Sequence, residues 1–567
     1  MFFLSGFVFA QDDDPIDSET VVVIKPYTPS VGDVFKIKET PPSGDSLGIE
    51  KKEVEYHINS VPVASTFEPA KGRAANLERN RTLDVYNSYF TLGFGSYTSA
   101  LAEFYTNFEI SKSDNFGIFL THNSSQGGIK DVVLDDEFYN TDFNLNYSSR
   151  NRDRTWRAQA GVKHQLINWY GLPEELVLPE TELNTIDPQQ NYLDIYAGVD
   201  LALEDSFFKN GKFDISRFGD SYDSAEIHAV LKPTFEFEIA EELITTTLTA
   251  DYLNGSFEDS FFENEDMEGL NYGFLSLGLN PSLLILRDDL TINLGVEGVY
   301  SMDMENSESK FFVYPKITAS YRVAGEYFIA YGGLEGELQQ NSYNKFSQEN
   351  PFIAPTIGIS PTDRQYNGYL GVKGKVASNI NFNFRGSYIT ENAKPLFISA
   401  PYTIEMDNRN NYDNGNSFQV VYDDVKTMSF FGELNFEANS NFSLGLNAEI
   451  LSFETANQDE PWNLPDMKAS LVMDYQITDK WYAGANVFYR GERKDLRIVN
   501  YPIDPSLFLK NLDSYLDANA HFGYRFNNQL SAFVRGNNLL GNNYERWLDY
   551  PVQGIQVMAG ATYKFDF

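Results

Sequence analysis

The chain has 567 residues, of which 42% are hydrophobic and 15% aromatic, with 45 Phe and 35 Tyr against 5 Trp. A formal net charge of -38 excludes nucleic acid as a partner, because phosphate binding needs concentrated Lys and Arg, and suits divalent cations or basic partners instead. The absence of cysteine removes disulfides, thiolate metal sites, a Cys nucleophile and a lipid anchor on an N-terminal Cys. Mean hydropathy is -0.37, and no apolar run approaches the ~18 residues of a spanning helix, so a helical membrane protein is excluded too. Any attachment to a membrane has to come from strands.

In chain order, residues 1–10, MFFLSGFVFA, read as an export signal, with Val8 and Ala10 placed for cleavage before the acidic QDDD. No Lys or Arg precedes the apolar core, which leaves a buried strand as the competing reading. Residues 11–84 hold Pro26, Pro29, Pro41, Pro42, Pro62 and Pro69 and read as an extended, irregular arm. From residue 85 to 567 a period of two takes over. Phe90, Leu92 and Phe94 share one face, then Ala100, Ala102, Phe104, Phe108 and Ile110, with Glu103, Asn107 and Glu109 opposite. The pattern recurs at Phe442 to Ile450, Met467 to Ile477 and Leu512 to Phe526.

Many of these segments run past ten residues, longer than the ~5 to 6 of a soluble sandwich and suited to strands that face lipid on one side and a wet lumen on the other. Tight links alternate with long ones: Leu286 to Asp288, Ala377 to Asn379 and Phe526 to Gln529 against 339–364, 395–416 and 541–553. The obvious strands number roughly 21, and closed barrels of this kind take an even number. A weak strand between 204 and 222, after an Asn210-Gly211 turn, restores parity and gives about 22. The expected fold is therefore all-β, a transmembrane antiparallel β-barrel with an N-terminal arm, its aromatic excess forming girdles at the two water interfaces. No sequence repeat supports a solenoid or propeller.

The last strand alternates up to the terminal residue: Ile555, Val557, Ala559, Ala561, Tyr563, Phe565 and Phe567 share a face. A terminus that keeps its pattern needs a pairing partner, which closing a barrel on its first strand would supply. The stretch GNNLLGNNYERWLDYPVQGIQVMAGATYKFDF resembles the C-terminal end of TonB-dependent receptors: Asn538, Leu539, Leu540, Tyr544, Tyr550, Pro551, Gly554 and Phe567 match the family's turn, loop and closing strand. Ile555 stands where the family usually has Arg. The resemblance implies an outer-membrane location, solute uptake, and reading of the final strand by the outer-membrane insertion machinery. It also gives a meaning to Glu19, Thr20, Val21, Val22 and Val23, which look like a TonB box, the peptide that pairs with an energy-coupling protein by strand addition; a sticky strand or a peptide folded into the lumen remains open.

The segment ahead of the barrel is too short for the plug that family members carry, so the arm, inward-folded loops or another protein is expected to fill the lumen. That shortfall keeps a second reading alive, a non-transporting barrel that scaffolds an outer-membrane complex. Among the histidines, His228 and His521 fall on the lumenal face with Glu226 and Asp517, and the expectation is polar wall lining rather than base catalysis. Asp407 to Asn416, DNRNNYDNGN, packs Asp and Asn as a calcium loop might but lacks an EF-hand's spacing, and turn chemistry explains it equally well. Glu258 to Gly269 reads as a solvated acidic tip. Nothing calls for an enzyme or a cofactor.

Overall fold

The structure, a computed structural model, describes residues 86–567 except 175, 177, 240–241, 260–268, 403–409 and 500–505. The export signal, the arm and the TonB-box-like peptide Glu19 to Val23 lie outside the described residues, as does most of the acidic tip. Among the described residues, 22 antiparallel strands of 8 to 22 residues form one sheet. Each strand pairs with its neighbours in sequence, and the sheet shuts on itself where Ser88–Gly95 pairs with the final strand, Gln556–Phe565. At that seam Ser88 faces Phe565, Leu92 faces Ala561 and Gly95 faces Met558. Thr91 and Thr562 hydroxyls meet at 2.9 Å, and the Asn87 amide donates to Asp566 at 2.9 Å. Closure leaves no strand edge in the wall, which is what lipid demands, since an unpaired peptide group has no water there to bond.

The outward face is apolar. Leu92, Leu193, Ile195, Leu231, Leu248, Leu277, Leu279, Leu434 and Val534 are all substantially exposed, in positions that alternate with inward polar residues. Inward, charged side chains pair across strands: Lys316 with Glu297 at 3.0 Å, and Arg364 with Glu337 at 2.8 Å and Glu391 at 3.1 Å. Links on one rim are short, as at 288–289, 378–379 and 440–441; those on the other reach 169–188, 340–361 and 538–555. The short rim is the periplasmic one by the rule for such barrels, and it carries an aromatic belt. Trp481 stacks on Phe522 at 4.9 Å, Phe565 meets Phe567 at 5.1 Å, and Phe567 meets Phe108 at 5.5 Å.

Two local readings of the sequence change. Asn210-Gly211 is not a turn: it lies inside the strand Phe208–Gly219, at a register shift, and the reversal comes earlier at 204–207, where Asp205 takes the left-handed conformation. The Phe208 ring lies over Gly211, 2.9 Å from where a Cβ would sit, so the glycine serves close packing in a strand. Leu512 to Phe526 is not one strand either, because Arg493–Val499 and Ser506–Leu512 pair as a hairpin beyond the wall. Leu512 therefore belongs to that hairpin, and the wall strand starts at Tyr515.

The two faces should respond oppositely to charge. Leu248→Lys, at mid-height on the outward face, is expected to lower the stability of the barrel in lipid vesicles by about 2–4 kcal/mol, while Thr249→Lys on the inward face costs little. Urea titration in phospholipid vesicles checks this, and equal losses would mean that lipid does not touch the Leu248 face.

Candidate functional site

The outer rim carries the site. Its long links do not stand as separate loops; they share one core made of Trp169, Tyr343, Phe346, Ile353, Ile357, Tyr412, Phe418, Trp547 and Tyr550 with the inward residues at the outer ends of several strands. Round the wall, link 169–188 leaves the fifth and sixth strands and 400–417 the fifteenth and sixteenth, nearly opposite on a ring of 22. Yet the Asn416 amide donates to the Trp169 carbonyl at 3.0 Å and Trp169 meets Tyr412 edge-on at 5.8 Å. Links from opposite walls can touch in this way only across the mouth.

A short helix, Tyr343–Glu349, anchors the middle of this cap. Ser342 caps it, accepting the Lys345 amide at 3.1 Å. Its link springs from the thirteenth and fourteenth strands, but Tyr343 packs on Phe218 at 5.2 Å and Phe257 at 4.9 Å, inward residues of the seventh and ninth. The buried Glu226 carboxylate, on the inner wall, accepts the Tyr343 amide at 2.6 Å, the Asn344 amide at 3.2 Å and the Tyr272 hydroxyl at 2.8 Å. The helix therefore sits inside the mouth, pinned by a carboxylate at its amino end to a part of the wall distant from its own strands.

Tyr550 is the hub. Its ring stacks on Phe352 at 3.6 Å between centroids and packs on Tyr170 at 4.8 Å and Phe418 at 6.0 Å, and its hydroxyl donates to the Asn416 carbonyl. Burial holds that hydroxyl well above the usual phenol range, so it stays a neutral donor. Gly171 has no side chain because Tyr550 fills the space, 2.4 Å from a would-be Cβ. Four links thus converge on one ring, and Tyr170 closes the contact by donating to the Pro551 carbonyl at 2.9 Å.

The outer hairpin locks the cap from one side. Asp495, fully buried, accepts the Ser399 amide at 2.9 Å, the Leu496 amide at 2.7 Å and the Asn463 side-chain amide at 2.8 Å. Arg497 pairs with Asp549, and the Arg493 guanidinium donates to the Glu545 carbonyl at 2.8 Å. Burial pushes the Asp495 carboxyl up to about 6, against the hydrogen bonds that favour its charged form.

The C-terminal signature residues divide between the two rims. On the outer side Asn538, at positive φ, donates to the Asn542 and Gln553 carbonyls at 2.9 Å each and so closes its link. Tyr544 stacks on Tyr515 at 3.9 Å and donates to Asp517 at 2.7 Å; Tyr550 and Pro551 enter the cap; Leu539 and Leu540 stay exposed; Gly554 lies under the Tyr97 hydroxyl. On the periplasmic side Tyr563 stacks on Phe565 at 6.0 Å and the belt ends at Phe567.

The carboxylates that share a strand face with the lumenal histidines bond elsewhere. His228 bonds Asp251 on the next strand at 2.8 Å, while Glu226 holds the cap helix and Asp517 holds Tyr544. In the described part of DNRNNYDNGN, Asp413 accepts the Asn410 amide at 3.0 Å and Asn416 bonds the Asn411 and Trp169 carbonyls, which is turn and cap chemistry. Among the described residues no cluster of three or more His, Asp or Glu side chains could hold a metal ion. Sequence reasoning missed Trp169, Tyr170, Tyr343, Phe352 and Phe418, whose one visible signal is that the long links are themselves aromatic.

Tyr550→Ala should cost about 3–5 kcal/mol of local stability and raise amide exchange in Tyr343–Glu349 without changing the wall strands, read by hydrogen exchange in detergent. Asp495 gives a pH test. Its folded pKa lies above the unfolded value, so its contribution is complete at low pH and fades as pH rises through about 6. Closure of the hairpin should be favoured by roughly 1 kcal/mol more at pH 5 than at pH 7.5, and Asp495→Asn should remove the difference once intrinsic exchange rates are corrected.

No family model matches the sequence, and no curated relative matches it. Solved structures do. The ferric enterobactin receptor PfeA from Pseudomonas aeruginosa superposes with a TM-score of 0.61 at 12% identity, over 84% of this chain and 80% of that one. The siderophore receptor PirA from Acinetobacter baumannii gives 0.61, 12%, 84% and 80%. The ferric-catecholate import receptor Fiu from E. coli gives 0.60, 11%, 85% and 82%. With its closed 22-strand wall, the chain has the outer-membrane barrel fold of TonB-dependent receptors.

Proposed function

We propose that the protein takes up a solute across the outer membrane through a lumen whose outer mouth is gated by the interlocked links. The observation that carries this reading is the cap itself: a helix and aromatic links from opposite walls share one core inside the mouth, with the links meeting on Tyr550. A barrel that served only as a wall would have no need to pack its surface links into a core. The cap is held to the wall by side chains, at Glu226 and Tyr192, and by one short backbone bridge from Ile353 to Phe418, rather than by a continuous strand ladder, so it can part while the barrel stays closed. The named neighbours are receptors for iron carriers, which supports uptake of a small solute by a barrel of this design.

Energy for opening would enter from the periplasm through the peptide Glu19 to Val23, added as a strand to a TonB-like coupling protein. In the same reading the closing strand, ending in Tyr563, Phe565 and Phe567, is the segment that the insertion machinery recognises.

Efflux of a sugar-sized dye from proteoliposomes tests the gate. The intact protein should leak slowly, and replacing 343–352 by a Gly-Ser linker should raise efflux by about tenfold or more, as expected when a packed cap is lost. Equal efflux from the two, in barrels that both show heat-modifiable migration, would overturn the gate.

A further inference from the structure

The outward wall carries a feature that neither the cap nor the lumen uses. Between the fourth and eighth strands lies an apolar groove of about 420 Å³, with Phe143, Val162, Ile195 and Ile227 along its upper row. Strand register explains it. One row of outward residues runs Phe143, Val162, Ile195, Arg217, Ile227, all bulky; the row beneath runs Leu145, Ala160, Ala197, Ile215. Ala160 and Ala197 lie side by side there, between Leu145 and Ile215, and leave a trough beneath the bulky upper row. An acyl chain is the shape that fills such a trough, and lipid is the solvent that this face meets.

Arg217 stands in the upper row, exposed on the lipid side and flanked by Ile195 and Ile227. It has no hydrogen-bond or ion-pair partner among the described residues. A guanidinium left unpaired on a lipid face is costly except near the headgroups, and the register places it there. From Ile239, at the periplasmic end of Ala225–Ile239, to Ile227, in Arg217's own row, a tilted strand rises about 30 Å, slightly more than the ~25 Å apolar band of such barrels. Arg217 therefore lies level with the headgroups of the outer leaflet. His164, exposed on the same face two strands away, is one row nearer the rim.

We propose that this groove is a binding site for one phosphate-bearing lipid of the outer leaflet, its acyl chain over Ala160 and Ala197 and its phosphate paired with Arg217. A planar guanidinium offers a phosphate two parallel hydrogen bonds, which a zwitterionic headgroup accepts less well because its own cation competes. The charge of the chain makes the choice informative: with a net charge of -38 the protein as a whole repels anionic lipid, so retention of one has to come from a local site.

The test is native mass spectrometry of the full-length protein released from detergent after incubation with phosphatidylglycerol or phosphatidylcholine. The intact protein should retain one phosphatidylglycerol in preference to phosphatidylcholine. Arg217→Gln should cut phosphatidylglycerol retention about fivefold, to the phosphatidylcholine level, the effect expected of one basic residue at a membrane surface. Ala197→Phe, which fills the trough, should lower retention of both lipids. Heat-modifiable migration on a gel confirms that both variants are folded. Unchanged retention in either variant, no preference between the two lipids in the intact protein, or a dimer that Ala197→Phe dissociates would each overturn the proposal, the last by showing that a second copy of the chain occupies the groove.

Discussion

Lipid cannot hydrogen-bond a peptide group, and this single constraint orders the rest of the structure. It forces every wall strand to find two neighbours, so Gln556–Phe565 must return to Ser88–Gly95, and the alternation has to persist to the end of the chain. It fixes the sign of each side chain as well, since a pleated strand that shows lipid one face must show the lumen the other. Charged pairs such as Lys316 with Glu297 consequently sit inside, where they cross from strand to strand. Arg217 is an exception to that sorting, and its height on the wall is what makes it tolerable.

Period two is a local property, which is why the wall could be read from residues alone. Phe90, Leu92 and Phe94 declare their face without reference to anything distant, and the alternation of short and long links follows from chain direction. An error arose where a local cue had two physical meanings. Asn210-Gly211 has the composition of a turn, but glycine also admits a close ring in a strand, and Phe208 decides for the second. His228 shares a strand face with Glu226, yet a neighbour one strand across comes nearer than one two residues along, and Asp251 is that neighbour.

The cap was invisible for the opposite reason. Trp169, Tyr343, Tyr412 and Tyr550 come from four links, and no period joins them; what unites them is the ring geometry of the wall, which carries chain-distant links over one opening. Their aromatic character was legible, but it was absorbed into the expected girdles. Aromatic residues in fact do two jobs, with Trp481, Phe522, Phe565 and Phe567 in the belt and Trp169, Tyr550 and Trp547 in the cap. A Tyr at the membrane interface and a Tyr in a dry core satisfy the same preference, an apolar body with one polar end.

The two cores also differ in how they can fail. A wall strand cannot leave without stranding its peptide groups in lipid, so the barrel is stable as a unit or not at all. The cap lies beyond the lipid, and the groups it would free on opening face water, which can replace their hydrogen bonds. Its resistance to opening is therefore set mainly by the apolar area around Tyr550 and by a few side-chain anchors such as Glu226 and Asp495. Opening exposes aromatic faces, and a ligand that covers them in the parted state, or a pull on the chain from the periplasm, shifts the balance by whatever it contributes in that state over the closed one. A gate placed in the links of a closed barrel can move without putting the wall at risk, and that separation follows from where the lipid ends.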